Sequence, residues 1–258
     1  MKKKSVRRKI LITNDDGYFS DGIQTLYREL KKKHEVFVVA PDREQSASSH
    51  SLTLNRPLRM QKISDDCYAI DGTPTDCVML AIHKLYKRTR PEMIISGINH
   101  GSNMGDDVTY SGTVAAAIEG SILQIPSIAV SQANWEPGMK LVNAARFVSR
   151  FVSIFDQLLL DSSTFLNINF PNMNGRPPHR FEFTRQGLRQ YKDIIVHKVD
   201  PRGKSYYWIG GQPKWRATKG SDFEAVRRGV VSVTPLKLNF TDQVSLDRLR
   251  KGKISLPR

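Results

Sequence analysis

The chain has 258 residues, 39% hydrophobic and 25% charged, an ordinary balance for a globular protein that can bury a sizeable core. No apolar run approaches the ~20 residues of a membrane helix, and the basic start MKKKSVRRK is followed only by ILI, too short for a signal peptide, so a cytoplasmic protein is expected. The net charge of +15 invites a nucleic-acid reading, but six cations in residues 1–9 and five in residues 248–258 leave only +4 for the rest, so the excess lies on the termini.

Strand and helix patterns alternate from residue 9 onward. KILITN (9–14) reads as a buried strand, and GIQTLYRELKKKH (22–34) as a helix with Ile23, Leu26, Tyr27 and Leu30 on one face. EVFVVAP (35–41) is a second buried strand at the spacing of a βαβ crossover. SLTLNRPLRM (51–60) and CYAID (67–71) look extended, TDCVMLAIHKLYKR (75–88) helical, and PEMIISGIN (91–99) is another buried strand. TVAAAIEGSILQ (113–124) is predicted as a helix, SIAVS (127–131) as a strand, LVNAARFVSRFVSIFDQLL (141–159) as a long amphipathic helix and FLNINFP (165–171) as a strand.

The character then changes. DIIVHKV (193–199) and SYYWIGG (205–211) flank the turn signal DPRGK and resemble a two-stranded β-arm. VVSVTPLKL (230–238) is a later strand and VSLDRLRK (244–251) a terminal helix. The expected fold is α/β, a mostly parallel sheet with helices on both faces plus a C-terminal elaboration. It forms one domain over residues 9–258 behind a basic extension of residues 1–8. Cys67 and Cys77 have no CxxC partners and are expected to be reduced packing residues.

In an open α/β sheet, ligands bind beyond the carboxyl ends of the strands. Three loops rich in small polar residues belong there: Asn14-Asp15-Asp16-Gly17, APDREQSASSHS (40–51) and SGINHGSNMGDDVTYSGT (96–113). The adjacent Asp15 and Asp16 repel each other when ionised. A bound cation answers that repulsion, and a pair of solvated turn aspartates is the other reading. The donor types fit a hard cation such as Mg²⁺: carboxylates from Asp15 and Asp16, a serine hydroxyl from the second loop and the Asn99 carbonyl. His50 and His100 have no partners at zinc-ligand spacing and read as loop histidines. Ser111-Gly112-Thr113 stands just before an Ala-rich helix, where free backbone N–H groups and the helix dipole suit a phosphate, or where a serine simply caps the helix.

Other phosphate chemistries fail on spacing. There is no GxGxxG after a strand, no P-loop and no GxSxG elbow. An aspartyl phosphatase of the haloacid-dehalogenase type would need an acid two residues after its nucleophile, whereas Asp15 is followed by Asp16 and Gly17.

Five blocks in order resemble the SurE family, the survival protein E nucleotidases. They are TNDDG (13–17), VVAPDREQSASSHSLT (38–53), DGTPTDCV (71–78), SGINHGSNMGDDVTYSGTVAAAIEG (96–120) and VSVTPL (231–236). The resemblance implies a Rossmann-like fold and a metal-dependent phosphatase acting on nucleoside 5'- and 3'-monophosphates, sometimes on short polyphosphate. It carries the metal ligands onto Asp15, Asp16, Ser46 and Asn99, with one Mg²⁺ or Mn²⁺ per subunit. Asp15, Asp16 and Asn99 become the catalytic candidates, and Asn14, Asn103, Ser111, Gly112 and Thr113 the phosphate contacts. The family forms dimers or tetramers with exchanged C-terminal segments, so residues 193–211 and 223–258 are expected to be assembly elements. Three departures stand out: the extension 1–8, Tyr18-Phe19 after the DDG, and Val230 where a tyrosine often precedes VSVTPL. The competing expectation, a non-catalytic nucleic-acid binder using the basic tails, has no use for Asp15 and Asp16, which would repel a polyanion.

Overall fold

Ile10, Leu11 and Ile12 are all completely buried, as residues of a parallel strand must be when helices cover both faces of its sheet. They belong to β1 (Lys9–Thr13) of a computed structural model that describes residues 7–86, 89–172, 175–178, 180–190, 194–210, 214–216 and 218–252. The chain continues through α1 (Asp21–Leu30), β2 (Glu35–Pro41), β3 (Met60–Ser64), β4 (Cys67–Ile70), α2 (Pro74–Leu80), β5 (Met93–His100) and α3 (Gly112–Ile122). β6 (Ser127–Gln132), α4 (Val142–Val152) and β7 (Thr164–Phe170) follow. The last third holds β8 (Phe181–Phe183), β9 (Arg189–Gln190), β10 (Ile194–Val199), β11 (Ser205–Gly210), β12 (Lys214–Trp215), α5 (Asp222–Arg227), β13 (Val231–Lys237) and α6 (Gln243–Lys251).

Nine strands form the main sheet in the order β3-β4-β2-β1-β5-β6-β7-β13-β8. The run from β4 to β7 is parallel, while β3 and β13 pair antiparallel with β4 and β7. This is a Rossmann-like sheet. The chain moves outward from β1 to β2 and then returns to lay β5 on the other side of β1, which makes the gap between β1 and β5 the topological switch point.

Side chains alternate across the sheet with the period of two that a strand imposes. Ile10 and Ile12 pack with Ile23, Leu26, Phe147 and Phe151 beneath α1 and α4. Leu11 packs with Val39, Cys77, Val78 and Ala116 beneath α2 and α3. Each such buried aliphatic side chain stabilises the fold by about 1.5–3 kcal/mol relative to exposure. Cys67 and Cys77 are buried free thiols, as expected. Val230 is buried as well.

Several expected elements are differently built. Residues 51–59 form no strand: Pro57 cannot donate to a ladder, Leu54 is exposed, and pairing with β4 begins only at Met60. The helix expected over 75–88 ends as α-helix at Leu80 and widens into a π-turn over Ala81–Leu85, after which Tyr86 packs edge-on against Phe37 at 5.7 Å. Residues 87 and 88 lie outside the described residues. The helix expected to reach Leu159 stops at Val152, because the Ser153 hydroxyl donates back to Arg150 O at 2.6 Å and a short 3₁₀ turn over Phe155–Leu158 follows.

Arg8, counted above with the basic extension, is tied into the body: its N–H donates to His34 Nδ1 at 3.3 Å and its carbonyl accepts from the Glu35 N–H at 2.9 Å. The β-arm is a regular antiparallel hairpin from Ile194↔Gly210 to Val199↔Ser205, and its outermost positions 193 and 211 lie outside the described residues. Within the segment expected as a tail, β13 instead sits inside the main sheet between β7 and β8, while α6 buries no residue.

Candidate active site

Every predicted site residue lies at or just beyond the ends of β1, β2 and β5 or at the start of α3. The turn after β1 is built first. Asn14 is fully buried, and its Nδ2 donates to Gly17 O at 2.9 Å and to Ser20 Oγ at 2.8 Å. Both amide protons are thereby spent on the turn, while Asn14 Oδ1 is buried without a partner among the described residues. Gly17 has φ +96°, a conformation that side chains resist. Gln45 N–H donates to Asp15 O at 2.7 Å and stitches the second loop to the first.

The two aspartates are held differently. Asp15 accepts the Thr113 N–H at 3.1 Å and the Thr113 hydroxyl, so its carboxylate caps the positive end of α3. Among the described residues Asp16 accepts only the His100 N–H, at 3.2 Å on Oδ2, while His100 Nδ1 stands 3.6 Å from Oδ1, beyond hydrogen-bond range. Burial pushes the pKa of Asp15 up despite the Thr113 bonds. Burial first, and then the neighbouring Asp15 charge, push Asp16 up to about 7. Glu44 adds a third repelling charge to both. Burial lowers the pKa of His100, which keeps its ring neutral near pH 7. Among the described residues no Lys or Arg side chain pairs with either aspartate.

The oxygens around this pair suit a hard cation. Asn99 donates its Nδ2 to Gly101 O at 2.9 Å, which leaves Oδ1 out of that bond. Among the described residues, Ser48 Oγ and Asn14 Oδ1 are buried and unpartnered. Among the described residues no three His, Cys, Asp or Glu side chains group at metal-binding spacing, so a cation here would rest on two carboxylates and neutral oxygens, the donor set of Mg²⁺ or Mn²⁺. Ser46, the expected hydroxyl ligand, is exposed and donates to Glu44 Oε1 at 2.7 Å.

The phosphate seat is partly occupied by the protein itself. Ser111 Oγ accepts the Val114 N–H at 3.1 Å, and Thr113 is engaged by Asp15. Both readings of the Ser-Gly-Thr stretch therefore meet in one place, since Ser111 caps the helix yet keeps its hydroxyl proton. Asn103 lies deeper: its Nδ2 donates to Ser131 Oγ at 2.8 Å, and its carbonyl accepts from Asn167 and Asn169 on β7. His50 bonds Glu119 on α3 at 2.9 Å, and His100 stacks on Trp135 with ring centroids 4.1 Å apart. Phe19 stands exposed at the rim with its ring edge-on to Tyr18.

Two contributors escape a sequence reading. Asp222 is buried and accepts the N–H groups of Gly105 at 2.8 Å, Gly187 at 2.9 Å and Phe223 at 2.8 Å, which ties the Gly105–Thr109 turn after Asn103 to the C-terminal third. Only the Ser221 cap before a short acidic stretch hints at it. Ser48 is the other, hidden among four serines. Beside the site, a cleft of about 810 Å³ opens among Ser102, Met104, Asn134, Arg216, Phe223 and Arg227.

A mostly parallel sheet with one buried and one partly buried carboxylate, small hydroxyl residues and a helix N-terminus meeting at its switch point defines a Rossmann-like α/β protein with its ligand site on the carboxyl rim. The profile of the family described as Survival protein SurE matches residues 10–193, and the chain belongs to the SurE family. It is similar to the 5'-nucleotidase SurE of Geotalea daltonii, 48% identical over 250 residues that cover 95% of this chain and 99% of the relative. The 5'-nucleotidase SurE of Pelobacter propionicus is 49% identical over 241 residues, 92% of this chain and 96% of the relative. The crystal structure of the SurE protein from Aquifex aeolicus superposes with a TM-score of 0.81 at 41% identity, covering 94% of this chain and all of that one.

Proposed function

We propose that this chain is a 5'-nucleotidase, a phosphomonoesterase that releases phosphate from nucleoside 5'-monophosphates, and that it works with one Mg²⁺ or Mn²⁺ per subunit. Family membership and the activity for which relatives near half identity over nearly the whole length are named support the nucleotidase reading. The observation that carries the metal is the adjacent pair of buried Asp15 and partly buried Asp16, which among the described residues has no Lys or Arg side chain to balance it. The same proposal extends to nucleoside 3'-monophosphates and short polyphosphate, and to a homodimer or homotetramer that uses the hairpin and tail. Among the described residues no helix is long and apolar enough to cross a membrane.

Asp15, Asp16, Asn99 and the hydroxyl of Ser46, which is bonded to Glu44, would hold the cation. When bound, it neutralises phosphoryl charge and favours the hydroxide form of a water. The protein's own part is preorganisation. Thr113 clamps Asp15 at both oxygens, so that carboxylate is fixed before substrate arrives. Asp16 keeps Oδ1 for a ligand while the His100 N–H holds Oδ2. The Ser111 proton and the positive end of α3 meet the phosphoryl oxygens as charge builds on them. Uncatalysed phosphomonoester hydrolysis is so slow that rate factors up to ~10²¹ are required. Acid–base help from one side chain supplies only about 10²–10⁴, so fixed charge and fixed donors carry most of the acceleration.

Phosphate release from AMP, measured with and without chelator, tests this reading. Hydrolysis is expected to vanish in excess chelator and to return with Mg²⁺ or Mn²⁺. Full activity in chelator overturns the metal, and no activity under any condition overturns the nucleotidase.

A further inference from the structure

The strap between Ser46 and Ser51 bends twice in a way that side chains normally avoid. Ala47 has φ +57° and Ser49 has φ +52°, both left-handed and neither a glycine. Such residues persist where the surroundings over-determine them, and they concentrate at functional sites. The surroundings here are dense: Ser49 N–H donates to Tyr110 O at 3.0 Å, the Ser51 hydroxyl to Ser48 O at 2.7 Å, and His50 is bonded to Glu119 at 2.9 Å. Thr53 adds two bonds to Asp76 just beyond, at 3.0 and 2.6 Å.

The residue between the two bends is Ser48, whose Oγ is buried and has no hydrogen-bond partner among the described residues. Its position follows from Gly112, the first residue of α3. A Cβ placed on Gly112 would fall 2.6 Å from Ser48 Oγ, 2.9 Å from Asp15 Cβ and 3.1 Å from Asp15 Oδ2. The hydroxyl and the Asp15 carboxylate therefore converge on the start of α3, and the missing side chain keeps that niche open. A buried hydroxyl left unbonded is costly unless something supplies its partner. Ser46, two residues earlier, shows none of this, being exposed and already bonded to Glu44.

We propose that Ser48 is a substrate-contacting residue, whose hydroxyl donates to an oxygen of the phosphoryl group seated at the N-terminus of α3. The assignment rests on the phosphatase reading and gives it a residue on the strap side of the seat. Inorganic phosphate, the product, is the direct probe, because its binding needs no turnover. In the full-length protein with saturating Mn²⁺, S48A is expected to weaken phosphate binding by calorimetry, and to raise KM for AMP, by about 10- to 100-fold. The Mn²⁺ affinity should stay within twofold, and the melting temperature should hold or rise, because an unpaired hydroxyl is being removed. S48T, which keeps the hydroxyl, should restore phosphate affinity to within a few-fold. S48A with unchanged phosphate affinity overturns the assignment, and so does S48A that loses Mn²⁺ but binds phosphate normally. A wild-type protein that neither hydrolyses AMP nor binds phosphate overturns both this and the nucleotidase reading; normal wild-type activity beside an unaffected S48A overturns this alone.

Discussion

At the rim of the sheet, Asn14, Asp15, Asn103 and Thr113 are polar side chains removed from water, whereas on the hairpin and on the segment after β13, Trp208, Ile209, Phe240 and Val244 are apolar side chains left in it. Ile209 is 89% exposed and Phe240 87%, values typical of lysine rather than of core residues. Both regions are expensive for a lone chain. Burying a carboxylate costs free energy until its charge is balanced, and an apolar patch in water costs free energy until it is covered. The expense differs in kind, and so does what relieves it. The rim is short of positive charge, and the arm is short of apolar contact.

Changes at the aspartates should be the most damaging. D15N and D16N each remove a negative donor while nearly keeping shape, and AMP hydrolysis in saturating Mg²⁺ should fall on the order of 10²–10³-fold in both. Their melting temperatures in chelator should part company. D16N should hold or gain stability, because it relieves repulsion with the adjacent Asp15, whereas D15N gives up a charge that the start of α3 favours. Activity within a few-fold of wild type in both variants would reduce the pair to turn residues.

The arm should respond in assembly and not in fold. Replacing Trp208 and Ile209 together by serine should lower the mass seen by light scattering at micromolar concentration. The melting temperature of the protomer should shift little, since neither side chain is buried within the chain. A wild type that is already monomeric at that concentration would remove the contrast between the two regions.

The smallest effect concerns His34, buried far from both. Its Nδ1 accepts the Arg8 N–H while Nε2 is buried and unpartnered among the described residues, and burial lowers its pKa from 6.5. The unfolded chain therefore takes up this proton first. Stability should be level above about pH 6.5 and decline as pH falls through the lowered folded value. The loss amounts to about 1.4 kcal/mol for each tenfold by which the unfolded chain binds the proton more tightly. H34Q should flatten that decline in melting curves between pH 7.5 and 5.5, and an unchanged slope would assign it elsewhere.

Much of the rim was legible because its signals are local. An apolar run breaking into Asn14-Asp15-Asp16-Gly17 marks the end of a buried strand, and Ser111 before an Ala-rich stretch marks a helix start, whatever lies elsewhere. What escaped depends on partners distant in sequence. Asp15 caps α3 only because Thr113 is brought to it across the switch point. Asp222 works by collecting backbone N–H groups from Gly105 and Gly187, whose nearness no spacing rule reveals. Ser48 is set apart from its neighbouring serines by a buried hydroxyl held between left-handed Ala47 and Ser49, and no spacing rule marks that. Of residues 51–60, which look extended in sequence, only Met60 joins a strand, because Pro57 cannot donate to a ladder and Thr53 bonds to Asp76 instead.

The alternation of β1 has an effect past its last ladder bond. Leu11 lies on the α2–α3 face and Asp15, an even number of residues on, meets Thr113 of α3; Ile10 and Ile12 lie on the α1–α4 face, and Asn14 meets Ser20 at the start of α1. Asp16 shares that second phase and meets His100, itself stacked on Trp135 from the same side. The two carboxylates thus differ in duty because they differ in parity, much as adjacent letters fall in different reading frames. Inserting one residue in β1 would set Asn14 against Thr113 and Asp15 against His100, leaving α3 without its carboxylate although every atom of the site is still present in the chain.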